Sequence, residues 1–304
     1  MTHYQLVSAN KTRSFLIIFL FIFFITTASY VMTVGLGYGL DMVGLALIVS
    51  GLMSWFSYYY SDKIILSISG AKPAQRQEHF DFYTVTENLC LSQRMPLPKL
   101  YVIEDSAMNA FATGRDPKHA VVCVTTGLLS RLERSEIEAV VAHELAHIKN
   151  YDILLMSVVT ILVGLIALLS DWMLRMTFWG RSRRDNDDKT GSQIKIIMFA
   201  LGLTLALLSP LIANLIKLAI SRRREFLADS SGVAMSKNPQ GLIKALEKIS
   251  QDKEPLEAAN KATAHLYISN PLKNHHDTVG WFANFFTTHP PIQERIKALQ
   301  SIAR

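Results

Sequence analysis

Charge is scarce in this chain. Of its 304 residues only 18% are Asp, Glu, Lys or Arg, while 50% are hydrophobic, a balance too apolar for an ordinary soluble enzyme. Cysteine is almost missing. Cys90 and Cys123 stand alone and form no C-x-x-C pair, which excludes a disulfide framework and fits a reducing compartment. No internal repeat is present, and only the polar stretch Arg181–Ser192 is compositionally biased. No nucleic-acid module appears. The net charge of +6 comes from Lys and Arg beside apolar runs, where anionic headgroups attract them; the expected partners are a lipid bilayer and no nucleic acid.

Those runs are what the chain has instead. Four stretches reach the length of about 20 residues that a helix needs to cross a bilayer: Phe15–Val34, Met42–Tyr60, Ile153–Leu174 and Ile194–Ile220. The first lacks a small-residue cleavage site and is followed closely by the second, so it reads as a retained anchor and not a signal peptide. The second ends in Trp55, Phe56, Tyr58, Tyr59 and Tyr60, side chains suited to a headgroup interface. Lys11 and Arg13 precede the first stretch, residues 35–41 carry no basic side chain, and Lys63, Lys72 and Arg76 follow the second. Positive charge stays inside, so the N-terminus and the central domain are expected to face the cytoplasm. Arg175, Arg181, Arg183, Arg184 and Lys189 conflict with this: they fall on the side the first pair assigns to the exterior. We take the first pair to dominate.

Gly and Pro are absent from Ile137 to Asn150, and this segment holds His143-Glu144-Leu145-Ala146-His147. A helix turns about 100° per residue, so two histidines four apart point the same way. They can share one zinc ion, with the intervening Glu144 beside the activated water. Ser135 with Glu138 reads as a capping box. Ile137, Val141, Leu145 and Ile148 form an apolar stripe, and the histidines fall opposite it among Ala139, Ala146 and Asn150, a side with room for a metal and a peptide.

A catalytic zinc needs a third protein ligand. Glu225, in Glu225-Phe226-Leu227-Ala228-Asp229 after Arg222-Arg223-Arg224, is the candidate; pairing with those arginines on a helix surface is the competing reading. Asp229, one turn on, is placed to orient a histidine ligand. The third and fourth apolar stretches fill the gap between His147 and Glu225. An out-and-back pair returns the chain to the side it left, so the two segments can meet. The domains are then an N-terminal transmembrane hairpin over 1–60, a protease domain in two parts over 61–152 and 221–304, and a second hairpin over 153–220. The fold class is an α+β membrane protein: mostly helical, with about four transmembrane helices and a cytoplasmic zincin-like domain containing a small β-sheet.

Leu100–Ile103, Asn109–Gly114 and His119–Thr125 read as strands or turns. One of them is a candidate edge for adding a substrate strand, although an ordinary hairpin covering the core accounts for the same pattern. Asn238 and Pro239 open a further helix, and Pro290-Pro291 open the last, with His289 just before it and Arg295 within it. His275-His276 read as solvated loop residues, and His3, His79, His119 and His265 have no partner pattern.

Four motifs in order, Asn109-Ala110-Phe111-Ala112-Thr113-Gly114, the His143–Asn150 segment, Glu225–Asp229 and Thr288-His289-Pro290-Pro291, resemble the HtpX-type bacterial heat-shock membrane endopeptidases. That family is grouped with the eukaryotic CAAX prenyl endoprotease, and the resemblance covers nearly the whole chain. It implies that Glu225 is the third zinc ligand and that Asn109 and His289 hold the substrate backbone or the developing oxyanion. It also implies that misfolded or damaged membrane proteins, or peptides, are the substrates. The residues themselves lead to a zinc-dependent hydrolase at a membrane, with Glu144 as general base and acid; that it is an endopeptidase of the cytoplasmic membrane is what the resemblance implies. Two other readings stay open at this point: a prenyl-peptide endoprotease, and a zinc-binding membrane scaffold or stress sensor without catalysis. The oligomeric state is not written in the sequence.

Overall fold

The computed structural model describes residues 3–36, 41–161, 222–257, 263, 266–269 and 290–303. Two long helices come first, α1 (His3–Leu36) and α2 (Asp41–Ile68). Both extend beyond the apolar stretches that mark them in the sequence. Phe15, early in α1, stacks on Tyr58, late in α2, with ring centroids 6.3 Å apart, so the pair runs antiparallel. Counted over described positions, no helix is long and apolar enough to cross a membrane; both α1 and α2 include side chains outside that set. Most of the second apolar pair lies outside the described residues.

A short strand β1 (Lys72–Pro73) and helix α3 (Phe80–Gln93) follow, then β2 (Lys99–Ile103), β3 (Ala110–Gly114) and β4 (Ala120–Thr125). The four strands form one sheet in the order β1-β2-β4-β3. β2 runs parallel to β4, with Tyr101 opposite Cys123, and β3 runs antiparallel to β4, with Ala112 opposite Val122. The β3–β4 connection is tight. Gly114 sits at φ +130°, and a Cβ there would lie 2.2 Å from the His119 carbonyl oxygen, so only glycine fits. Asp116 caps the 3-10 turn Pro117–His119 by accepting the Lys118 and His119 N–H groups. His119 therefore belongs to the turn and not to the strand.

The helices that follow pack partly on β3 and β4 and partly on one another. α4 (Thr126–Arg131) leads to α5 (Arg134–Lys149), which carries both histidines. A helical segment over 152–161 follows directly. After the undescribed stretch come α6 (Arg222–Ser236), α7 (Pro239–Gln251) and α8 (Ile292–Ile302). Asn238 caps α7 by accepting the Gly241 N–H at 2.9 Å, and Pro239 occupies its first turn, as the sequence suggests.

Two details of α5 differ from the sequence expectation. The helix starts earlier than Ser135: the Glu136 carboxylate accepts the Glu133 N–H at 2.8 Å, the same i, i+3 device shifted by two residues. Lys248 of α7 binds that carboxylate at 2.7 Å, which ties the helix start to the core. The side of α5 expected to be open is so only in part. The helix is buried almost all round. Its bulky stripe (Ile137, Val141, Leu145, Ile148) shares a core with Val122 and Val124 of β4, while Ala139 packs with Val233, Leu242 and Leu246 of α6 and α7. Ala139 admits neighbouring helices, whereas Ala146 and Asn150 line a cavity of about 270 Å³ with Ser231, Ala234 and Met235 of α6. Gly232 of α6 shows how close the approach is: a Cβ there would meet the His143 backbone nitrogen at 2.9 Å.

Candidate metal centre

The four-residue spacing on α5 brings the imidazoles of His143 and His147 edge to face, with centroids 4.8 Å apart and an interplanar angle of 87°. Their Nε2 atoms are 3.2 Å apart. Glu225, in the first turn of α6, places Oε2 at 3.7 Å from His143 Nε2 and Oε1 at 3.6 Å from His147 Nε2. All three residues are buried, and their ligand-type atoms lie within 4.8 Å of one another. Two of the arginines before Glu225 have other carboxylates near them: Arg222 lies 4.0 Å from Glu294, and Arg224 lies 3.8 Å from Asp152. Glu225 itself is buried, so pairing with that run on a helix surface is not what fixes it.

Each histidine is held from behind by a carboxylate. Asp229, one turn beyond Glu225, approaches His143 Nδ1 at 2.9 Å. Asp152 approaches His147 Nδ1 at 3.1 Å. A carboxylate accepts, so each Nδ1 carries a proton and each Nε2 is the nitrogen left to face a metal. Two Nε2 atoms 3.2 Å apart with a carboxylate opposite form a cluster that needs positive charge among the three, either a metal ion or a second proton on one imidazole. Two imidazole nitrogens and one carboxylate oxygen suit a catalytic zinc, which takes three protein ligands and keeps one position open.

The surroundings tune these groups. Burial, the largest influence on His147, opposes its charging. The hydrogen bond from Asp152 and the Glu225, Asp152 and Glu144 carboxylates outweigh it and raise the pKa to about 9. Without a metal, His147 therefore holds a second proton, on Nε2, at neutral pH. Burial pushes the Glu144 carboxyl up, against the downward pull of the two histidines. Asp229 behaves oppositely. Burial raises it, but Arg295 and the bond to His143 win and bring it down to about 2.

Among the described residues, Arg295 is the largest with no exposed surface. From α8 it grips Asp229 with two donors, Nε at 2.8 Å and Nη2 at 2.6 Å, reaches Glu225 at 3.6 Å, and donates to the Ile268 carbonyl at 3.3 Å. The sequence places Arg295 in the last helix but names no partner for it. Asp152 is a site residue that the motifs do not point to at all. A carboxylate at the mouth of an apolar stretch is expensive to bury, and that cost is the signal available.

Asn109 lies just before β3. Its side-chain amide donates to the Ser269 carbonyl at 3.1 Å and accepts from the Ser269 N–H at 3.3 Å, while the Ile268 N–H donates to the Ala110 carbonyl at 2.9 Å. The outer edge of β3 is thus met at its start by residues 268–269. His289 and the His275-His276 pair lie outside the described residues.

Residues 77–303 match the model of peptidase family M48, which takes in α5, α6 and α8 but not α1. A protease HtpX homolog of Thermoanaerobacter pseudethanolicus is 43% identical over 303 residues, covering 99% of this chain and 98% of that one. The homolog of Caldanaerobacter subterraneus subsp. tengcongensis is 42% identical over 304 residues, with 99% and 98% covered. Among solved structures, S. mikatae Ste24p shares 20% identity with a TM-score of 0.48, over 97% of this chain and 67% of that one; so distant a likeness carries no weight for the function of this chain.

Proposed function

This chain belongs to peptidase family M48 and is a metalloendopeptidase, and from that premise we propose that it uses one zinc ion to cleave misfolded or damaged membrane proteins at the cytoplasmic face of a bacterial inner membrane. The observation that carries the reading is the convergence of His143, His147 and Glu225, with each Nδ1 tied to its own buried carboxylate. The membrane part rests on α1 and α2. Phe19 and Ile48 leave 62% and 61% of their surface uncovered, in company with Phe15, Phe23, Trp55 and Phe56, and so large an apolar surface calls for lipid. The cytoplasmic face is supported by the lysines and arginines that flank this pair.

Zinc bound here supplies a Lewis acid that polarises the scissile carbonyl and brings the pKa of water towards about 7. His143 and His147 hold it through Nε2, and Glu225 through a carboxylate oxygen. Glu144, buried and with its pKa raised, takes a proton from the attacking water. The new C–O bond forms at the carbonyl carbon, the C–N bond breaks, and Glu144 returns the proton to the leaving nitrogen. Asp229 and Asp152 keep both imidazoles in the tautomer that presents Nε2. Asn109 and His289 are proposed to hold the substrate backbone or the oxyanion.

The test uses the full chain in detergent micelles with an unfolded, unmodified membrane protein. Cleavage is expected with zinc, is stopped by a chelator and is restored by zinc. Glu144→Gln is expected to keep zinc and lose activity by about 10²–10⁴-fold. Undiminished cleavage by Glu144→Gln would remove the role given to that carboxylate. Cleavage only of a prenylated peptide would make the substrate class wrong.

A further inference from the structure

Asn10 stands near the start of α1, outside the region that matches the family, and its side chain is almost wholly buried, with 3% exposure. Both of its amide hydrogens are used at one spot. One goes to Asp152 Oδ1 at 2.7 Å, the other to the Asn150 carbonyl at 2.9 Å. Asp152 is the carboxylate whose other oxygen holds His147 Nδ1. Asn150 is the C-cap of α5, and Tyr151 beside it takes a left-handed conformation at φ 60°. Lys11, the next residue of α1, rests over the Tyr151 ring at 4.3 Å. The first helix therefore grips the turn by which the metal-binding helix ends.

We propose that Asn10 is a positioning residue for the metal centre: it fixes the Asp152 carboxylate, which in turn orients His147, so that α1 is part of the catalytic apparatus as well as an anchor. This rests on the zinc site proposed above. The chemistry favours an amide at this position. Asp152 is only 1% exposed, and a buried carboxylate needs donors at both oxygens. Asn10 engages Oδ1 without adding charge, which leaves Oδ2 aimed at His147. Without that donor the carboxylate is free to swing towards the Arg224 guanidinium, 3.8 Å from Oδ1, and its hold on the imidazole loosens. An arginine or lysine in place of Asn10 would compete with His147 for the carboxylate's charge. An aspartate would set a second carboxylate against it.

The experiment is a zinc-affinity titration of the full chain in detergent, by competition with a chromophoric chelator, in a Glu144→Gln background that prevents self-cleavage. Asn10→Ala is expected to weaken zinc binding by about tenfold, the lower end of the range for residues that support a ligand from behind. Asn10→Asp preserves the size of the side chain but cannot donate, and is expected to lose at least as much. Lys11→Ala, which touches the same turn but not Asp152, is expected to stay within about twofold of the parent. In an Asp152→Asn background the Asn10→Ala effect is expected to disappear, because the group it acts through has gone. Parental affinity in Asn10→Asp, an equal loss in Lys11→Ala, or an Asn10→Ala effect that persists without Asp152 would each overturn the proposal. Failure of the parent chain to bind zinc would instead overturn the metal site itself.

Discussion

The two histidines of this centre are supported by the same device built from opposite materials. His143 leans on Asp229, and Asp229 is neutralised by Arg295, a fully buried cation that grips it with two donors. His147 leans on Asp152, and Asp152 is held at 2.7 Å by the uncharged amide of Asn10, with the Arg224 guanidinium further off at 3.8 Å. One side is a closed ion pair within the family-matched domain. The other keeps more of its negative charge for the imidazole and depends on a helix from outside that domain. The raised pKa of His147 and the lowered pKa of Asp229 are the two faces of this difference.

The largest test of the contrast is Arg295→Met. It leaves Asp229 buried without its cation and is expected to cost about 3–5 kcal/mol of stability, read by thermal or chaotrope unfolding of the full chain. Arg224→Met should cost clearly less. Equal losses would show that the two sides are not built differently. Next in size are the carboxylates themselves. Asp229→Asn and Asp152→Asn are each expected to weaken zinc affinity about 10–100-fold, but only Asp229→Asn should also destabilise the metal-free protein strongly, since it strands Arg295. A stability scan of both variants without zinc separates the two effects.

The pH dependence sharpens the comparison further. In the metal-free protein His147 is protonated below about pH 9. Zinc must then displace that proton, so apparent affinity is expected to rise with pH up to about 9, by roughly tenfold per unit where one proton is released. Asp152→Asn removes the main support for the protonated ring and should shift the upper limit of that rise to lower pH. A titration flat between pH 6 and 9 would contradict this account of His147. Smallest is Gly232→Ala. Crowding against the His143 backbone costs about 1–3 kcal/mol, and the better helix propensity of alanine returns up to about 1, so a net loss of about 1 kcal/mol is expected, together with weaker zinc binding as α6 and Glu225 are pushed away. A net gain in stability would mean that the two helices are not pressed together.

These contrasts also show what a sequence makes legible. The spacing of His143 and His147 is a statement about a single helix, and the structure brings the two rings together as that spacing requires. Asp229 is readable as a partner of a histidine because it lies one turn from Glu225 on the same helix. Asp152 is not. It stands five residues after His147, a spacing that points away from the ring on a continuous helix; it reaches Nδ1 because the chain turns at Asn150 and Tyr151. Arg295 and Asn10 meet their carboxylates across 66 and 142 residues, and no periodicity records such a distance. The expected open side beside the histidines holds only in part, for a related reason. Ala146 does border a cavity, but the space beside Ala139 is filled by α6 and α7, because small residues are also what lets a second helix approach, and Gly232 supplies the matching surface.

X-ray absorption at the zinc edge of the full chain tests the central claim most directly. The account predicts one zinc per chain with two imidazole nitrogens and a carboxylate oxygen at about 2.0–2.2 Å, and loss of that oxygen signal, with much weaker binding, in Glu225→Ala. A Glu225→Ala protein that binds zinc as tightly as the parent, with an unchanged spectrum, would contradict it.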